Sequence, residues 1–161
     1  MSDDEIIDQI TKSFSEYNLR DIKEINKSVL EFTIAEFILC SCFIDQISGF
    51  RYNIDKVGKR YKQFVQDYLP SYDPKELYQD LRNKLVHNYS IGKHYSLVRE
   101  APGWHLQNIE GMTYLNLENF IDDLQTALNK FIFELKNDVQ IRRNALDWFS
   151  THRIIKLIDN S

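Results

Sequence analysis

Only five glycines and three prolines interrupt the 161 residues, and that scarcity narrows the possible folds more than any other feature. Sheet-rich folds need turn residues every few positions, whereas long helices need them only at their ends. Where these residues are absent, the apolar positions recur with helical period. Ser2 and Glu5 form a capping-box signal, and Ile6, Ile7, Ile10, Phe14 and Tyr17 then trace one helical face. A second helix is expected over about residues 20–48, with Ile22, Ile25, Val29, Phe32 and Phe43 in its stripe and Gly49 as its stop. From Val29 onward it is apolar on nearly every side, as a central bundle helix should be. A third helix is expected over about 55–69, with Val57, Tyr61, Phe64, Val65 and Tyr68 inward, ending before Pro70.

The fourth helix has the clearest start. Asp73 stands at the N-cap, Pro74 at the first helical position and Glu76 where a capping box closes. It should run to about Asn88 or Tyr89. The period then changes: His94–Arg99 and Met112–Leu115 read as short strands, with Trp104–Ile109 a third, separated by Pro102-Gly103 and Glu110-Gly111. This predicts a small β-hairpin or meander inserted at about 94–116. Asn116 then caps a long helix with Phe120, Leu124, Leu128, Phe131 and Leu135 on one face, and Val139–Phe149 continues helically. The apolar tail Ile154–Ile158 must dock somewhere. The expectation is an all-α bundle with a small inserted hairpin, residues 1–161 forming a single domain. The length suits one domain, and 43% hydrophobic residues supply its core.

Chemistry concentrates in Asp80-Leu81-Arg82-Asn83-Lys84-Leu85-Val86-His87-Asn88-Tyr89, on the last turns of the fourth helix. An always-charged guanidinium and a titratable imidazole stand five positions apart, with Asn83 beside the first and Tyr89 two past the second. A bare Arg/His spacing is weak evidence. Arg99 and His105 also match it, but Pro102-Gly103 between them forbids a shared helix. The Arg82 pair lies inside a capped helix.

These residues resemble the HEPN family (higher eukaryotes and prokaryotes nucleotide-binding), whose members are helical bundles that commonly dimerise. Many are metal-independent endoribonucleases carrying R-x4-6-H, often with a polar residue next to the Arg. The extension to R-x4-H-x-Y is similar to HEPN toxins paired with a minimal nucleotidyltransferase antitoxin, in which the motif tyrosine is a site of silencing modification. The resemblance covers about ten residues and, in outline, the helices before them; the insertion at 94–116 and the long helices after it depart from the small toxins. It implies Arg82, Asn83 and His87 as catalytic residues, Tyr89 as a modification or substrate contact, and a toxin or phage-defence setting. RNA, a second copy of the chain and a nucleotidyltransferase antitoxin are the implied partners. No cofactor is expected.

The residue types suit that chemistry. Attack of a ribose 2′-OH on the adjacent phosphate needs a base, an acid and a countercharge. Histidine, which titrates near pH 6.5 when unperturbed, can be base or acid. Arginine can hold equatorial phosphate oxygens. On a regular α-helix Arg82 and His87 lie roughly 140° apart around the axis. One straight helix therefore cannot aim both at one phosphate. Two copies across a twofold axis can, with Val86 near the seam, which predicts a composite site at a homodimer interface. Asn83 and His87 fall one turn apart, so the amide could orient the imidazole.

The net charge of −4 counts mildly against a nonspecific nucleic-acid binder. Residues 81–99, however, carry Arg82, Lys84, Lys93 and Arg99 with His87 and His94, and no acid. Lys84, Lys93 and Arg99 are the expected RNA contacts; an ordinary solvated face is the competing reading. Bland roles also compete for the motif: His87 as a helix C-cap, Arg82 paired with Asp80 or a neighbouring acid, Tyr89 in the core. Trp104 and Trp148 read as packing anchors, Trp104 also as a base-stacking candidate. The histidines show no ligand spacing, so no metal is expected. Cys40 and Cys42 point apart on a helix and read as buried free thiols of a reducing cytoplasm. The acidic start Met1–Glu5 lacks secretory-signal order, and the apolar run Ile34–Ile44 is too short for a bilayer and carries Glu36. Two rivals to the ribonuclease remain: a non-catalytic HEPN-like module binding a nucleotide, RNA or protein, and a structural helical adaptor.

Overall fold

The structure, a computed structural model, describes residues 1–27, 33–90 and 92–154. It is predominantly helical with one small sheet. The first helical stretch is α1 (Asp3–Lys12), a π-helical turn (Ser13–Asn18) and α2 (Leu19–Asn26). The capping box forms as expected: Glu5 N–H donates to Ser2 Oγ, and Ser2 N–H to the Glu5 carboxylate. Ile7, Ile10, Phe14, Leu19 and Ile22 are buried. The helix expected over 20–48 is thus two elements, α2 and α3 (Thr33–Tyr52); Val29 and Phe32 of its stripe lie outside the described residues, as does the tail beyond Ile154.

Gly49 does not stop α3, which continues to Tyr52. The glycine is there for packing: a Cβ at this position would lie 2.5 Å from the Trp148 indole. α3 is the central helix, packing on α2, α4, α6 and α7. It is long and apolar enough to cross a membrane by length and composition. Its apolar side chains instead fill the core: Phe37, Cys40, Phe43, Ile44, Ile47 and Phe50 are buried. Phe14 meets Phe43, Phe50 and Phe131 edge to face at 5.8, 5.5 and 6.3 Å.

α4 (Val57–Tyr68) buries Tyr61, Phe64, Val65 and Tyr68. α5 (Pro74–Leu77) begins at Asp73, whose carboxylate accepts from the N–H groups of Lys75 and Glu76, both at 2.9 Å. The helix then changes winding: Tyr78–Val86 is π-helical. Leu77, Leu81 and Leu85 face the core.

The insertion is β1 (Tyr95–Val98), a 3₁₀ turn (Pro102–Trp104), β2 (Asn108–Ile109) and β3 (Met112–Asn116). β2 and β3 form the expected hairpin through Glu110 and Gly111, both at positive φ, as a primed turn requires. β1 does not join as a meander; it pairs parallel to β3, with Tyr95 opposite Thr113. A relay ties this insertion to α6 (Leu117–Asn137). His105 Nδ1 accepts from Asn116 N–H at 3.2 Å, its Nε2 lies 3.0 Å from the Tyr72 hydroxyl, and that hydroxyl donates to Asp123 at 2.5 Å. Asn116 caps α6 by accepting from Asn119 N–H. Asp138 caps α7 (Val139–Thr151), which lies across α3.

Candidate functional site

The π-helical winding decides the geometry of the motif. Its hydrogen-bonded rings are one residue longer than those of an α-helix, so residues five apart come one above the other. Arg82 and His87 are five apart, and Arg82 Nη1 donates to His87 Nε2 within one chain. The premise that a single helix must splay them is therefore corrected. Asn83 nevertheless does not orient the imidazole: its amide donates to Gln79 Oε1 at 3.2 Å. His87 does stand at the C-cap of this segment, its backbone N–H donating to the Lys84 carbonyl, while its imidazole is held by Arg82. Because arginine can only donate, Nε2 must keep its lone pair in this contact, which places the neutral ring's proton on Nδ1.

Arg82 pairs not with Asp80 but with Asp45, 37 residues away on α3, through Nε at 2.8 Å. The other oxygen of Asp45 takes Arg60 Nη2 at 2.6 Å. Arg60 is further fixed by donating to the carbonyls of Ile54 and Asp55. Of Arg82's five N–H donors, one binds Asp45 and one His87. The other three have no partner among the described residues.

Asp80 has a separate role. Nearly buried, its carboxylate accepts from the backbone N–H groups of His94 (2.7 Å) and Tyr95 (2.9 Å) and contacts His94 Nδ1 at 2.8 Å. It fastens β1 to the motif helix. Gly92 is obligatory beside it, since a Cβ there would meet the carboxylate at 1.9–2.3 Å.

Arg82 and Val86 open into a depression of about 300 Å³ that α3, α4 and α7 complete. Cys42, Asp45, Arg60, Trp148, His152 and Arg153 share its lining. Three guanidiniums there face one carboxylate, a local excess that attracts anions on an acidic protein. Trp148, buried against Gly49, carries the Arg60 guanidinium 5.1 Å from its ring and the His152 imidazole stacked at 3.6 Å with planes 2° apart.

The remaining expected residues disperse. Tyr89 leaves the helix at φ 50° and is 73% exposed, so it is not a core residue. Lys84 and Lys93 are exposed and border a second depression with Gln79 and Gly92. Arg99 turns inward: it pairs with fully buried Glu36 at 2.7 Å and donates to the Asn26 carbonyl at 2.6 Å. Trp104 is about half exposed, edge-on to Tyr114. Cys40 is buried, and burial pushes its thiol up; Cys42, expected to be buried, is exposed at the depression. No group of three or more His, Cys, Asp or Glu among the described residues is placed to hold a metal.

Sequence reasoning missed Asp45, Arg60, His152 and Arg153. No local signal marks them, because their relation to Arg82 exists only once α3, α4 and α7 are packed. The adaptor reading required Arg82 and His87 to point apart into solvent, whereas they are in contact. No family model, curated protein or solved structure matches this chain.

Proposed function

We propose that the protein is a metal-independent endoribonuclease of HEPN type, cutting RNA by attack of a 2′-OH on the adjacent phosphate. The observation that carries the reading is the contact of His87 with Arg82, a residue that itself lines an anion-attracting depression. An incoming phosphate competes for Arg82 Nη1 and takes its three free N–H groups, which are the countercharge for the pentacoordinate state. The released His87 Nε2, already carrying its lone pair, accepts the 2′-OH proton. Departure of the 5′-oxygen leaves a 2′,3′-cyclic phosphate.

The resemblance adds a homodimer, a cytoplasmic toxin or phage-defence setting, and a nucleotidyltransferase antitoxin. In a dimer, a second motif would face the first with Val86 near the seam. The exposed Tyr89 hydroxyl is accessible to a modifying partner.

The test is cleavage of structured and unstructured RNA in EDTA by the wild type and by His87→Ala. The variant is expected to fold normally and to lose about 10²–10⁴-fold in rate. RNA with a 2′-deoxy nucleotide at the scissile position should resist. Undiminished cleavage by His87→Ala, with contaminating nucleases removed, rejects the assignment. One observation favours a binding module instead: Arg60 and Arg82 are already both paired with Asp45. That reading expects RNA binding by the wild type without cleavage.

A further inference from the structure

Transesterification needs two proton transfers, and one imidazole cannot perform both in a single step. We propose that His152 is the general acid of this site, an inference that rests on the ribonuclease reading above. His152 lines the same depression as Arg82, although 70 residues separate them in the chain. Its ring is exposed and fixed from two directions. One face stacks on the buried Trp148 indole. Its Nδ1 lies 3.3 Å from the Trp148 carbonyl and 2.9 Å from Thr151 Oγ1. Thr151 Oγ1 donates its own proton to the same carbonyl at 3.2 Å, so the short contact is Nδ1–H to oxygen. Nε2, at the opposite end of the ring, has no partner among the described residues.

The two histidines thereby receive opposite hydrogen-bonding assignments. His87 offers its lone pair to a guanidinium, a contact that exists only when Nε2 is unprotonated. His152 is anchored through a donated Nδ1–H, which survives whether Nε2 is protonated or bare. It can hold a proton on Nε2 and release it without losing its position. In the reaction, the 2′-oxygen bonds to phosphorus as its proton passes to His87. The bond from phosphorus to the 5′-oxygen breaks, and that oxygen takes the proton from His152 Nε2. Net proton count is unchanged, and the two imidazoles exchange states. Trp148 is a positioning residue: it holds the His152 ring without touching substrate. The charged or titratable groups lining the depression with His152 are Cys42, Asp45, Arg60, Arg82 and Arg153.

The experiment compares two RNA substrates, one with an ordinary scissile linkage and one with sulfur replacing the bridging 5′-oxygen. A thiolate departs without protonation, so it needs no acid. His152→Ala should cut the ordinary linkage about 100-fold more slowly and the sulfur linkage at close to the wild-type rate. His152→Asn, whose amide can keep the bond to the Trp148 carbonyl but cannot transfer a proton, should behave like His152→Ala. His87→Ala should be slow on both substrates. Ordinary-linkage cleavage by His152→Ala at the wild-type rate overturns the proposal and assigns the acid to a group outside this chain's site. Equal losses on both linkages, or recovery in His152→Asn, also overturn it, by making the residue structural. Those failures leave His87→Ala inactive. A wild type that cuts neither substrate removes the ribonuclease reading and this proposal together.

Discussion

Replacing Gly49 by alanine offers a sharp test of how the site is assembled. In the interior of a helix this change ordinarily stabilises by about 1 kcal/mol, because alanine loses less backbone entropy. Here the new Cβ would lie 2.5–2.7 Å from three indole atoms of Trp148. The ring cannot swing aside cheaply: it is 6% exposed, with His152 stacked at 3.6 Å and Arg60 also against it. Overpacking of a filled core costs about 1–3 kcal/mol, and a rigid ring belongs in the upper part of that range. The clash therefore outweighs the propensity gain, and Gly49→Ala should be about 1–2 kcal/mol less stable than wild type. In a chain this long that lowers Tm by about 2–8 °C. Urea unfolding monitored by circular dichroism should show a lower midpoint with unchanged m. Gly103→Ala is the control, since nothing lies within 4 Å of its Cβ. A Gly49→Ala protein as stable as wild type, or more so, would refute the packing of α7 on α3 described above, and with it the placement of His152.

Two further outcomes follow from polar contacts away from the reaction. Asp80→Ala strands two backbone N–H groups and the His94 imidazole, and should cost about 3–5 kcal/mol; Asp80→Asn should cost less, and a urea midpoint within error of wild type for Asp80→Ala would contradict the latch. His105 is held below the ordinary histidine range by burial, opposed by Asp123, and protonating its Nδ1 would break the bond from Asn116 N–H. The unfolded chain therefore takes this proton first. The contribution to stability is complete above about pH 6.5, declines as pH falls from there toward the folded-state value, and is flat below it. Urea unfolding at pH 7.5 and 5.5 should give His105→Gln a shallower pH dependence than wild type; equal slopes would disprove it.

What was legible in the sequence was what local chemistry controls. Ser2, Asp73 and Asn116 each cap the helix that their short polar side chains announced, and Gly111 completes the turn at Glu110-Gly111 that its freedom at positive φ suits. Illegible features depend on partners distant in the chain. Gly49 carries the composition of a helix stop, but the indole of residue 148 sets its role. The parallel pairing of β1 with β3 needs a connection that folds back on itself, which alternation of side chains cannot reveal. Asp45, the residue that fixes Arg82, sits in an apolar helix with nothing nearby to mark it. The change from α to π winding is subtler still: both patterns keep Leu77, Leu81 and Leu85 inward, so the hydrophobic stripe does not distinguish them.

The wide turn at Tyr78–Val86 makes the count of residues between the guanidinium and the imidazole a gauge of helical pitch. Four intervening positions measure one circuit of the looser coil, whereas the tighter coil would close its circuit one position sooner. Removing a single residue between Arg82 and His87 could thus leave the two groups neighbours while the backbone contracts to ordinary pitch, rotating everything downstream, Tyr89 included, to a new bearing. Spacing in this segment is a mechanical specification of the coil as much as a chemical signature.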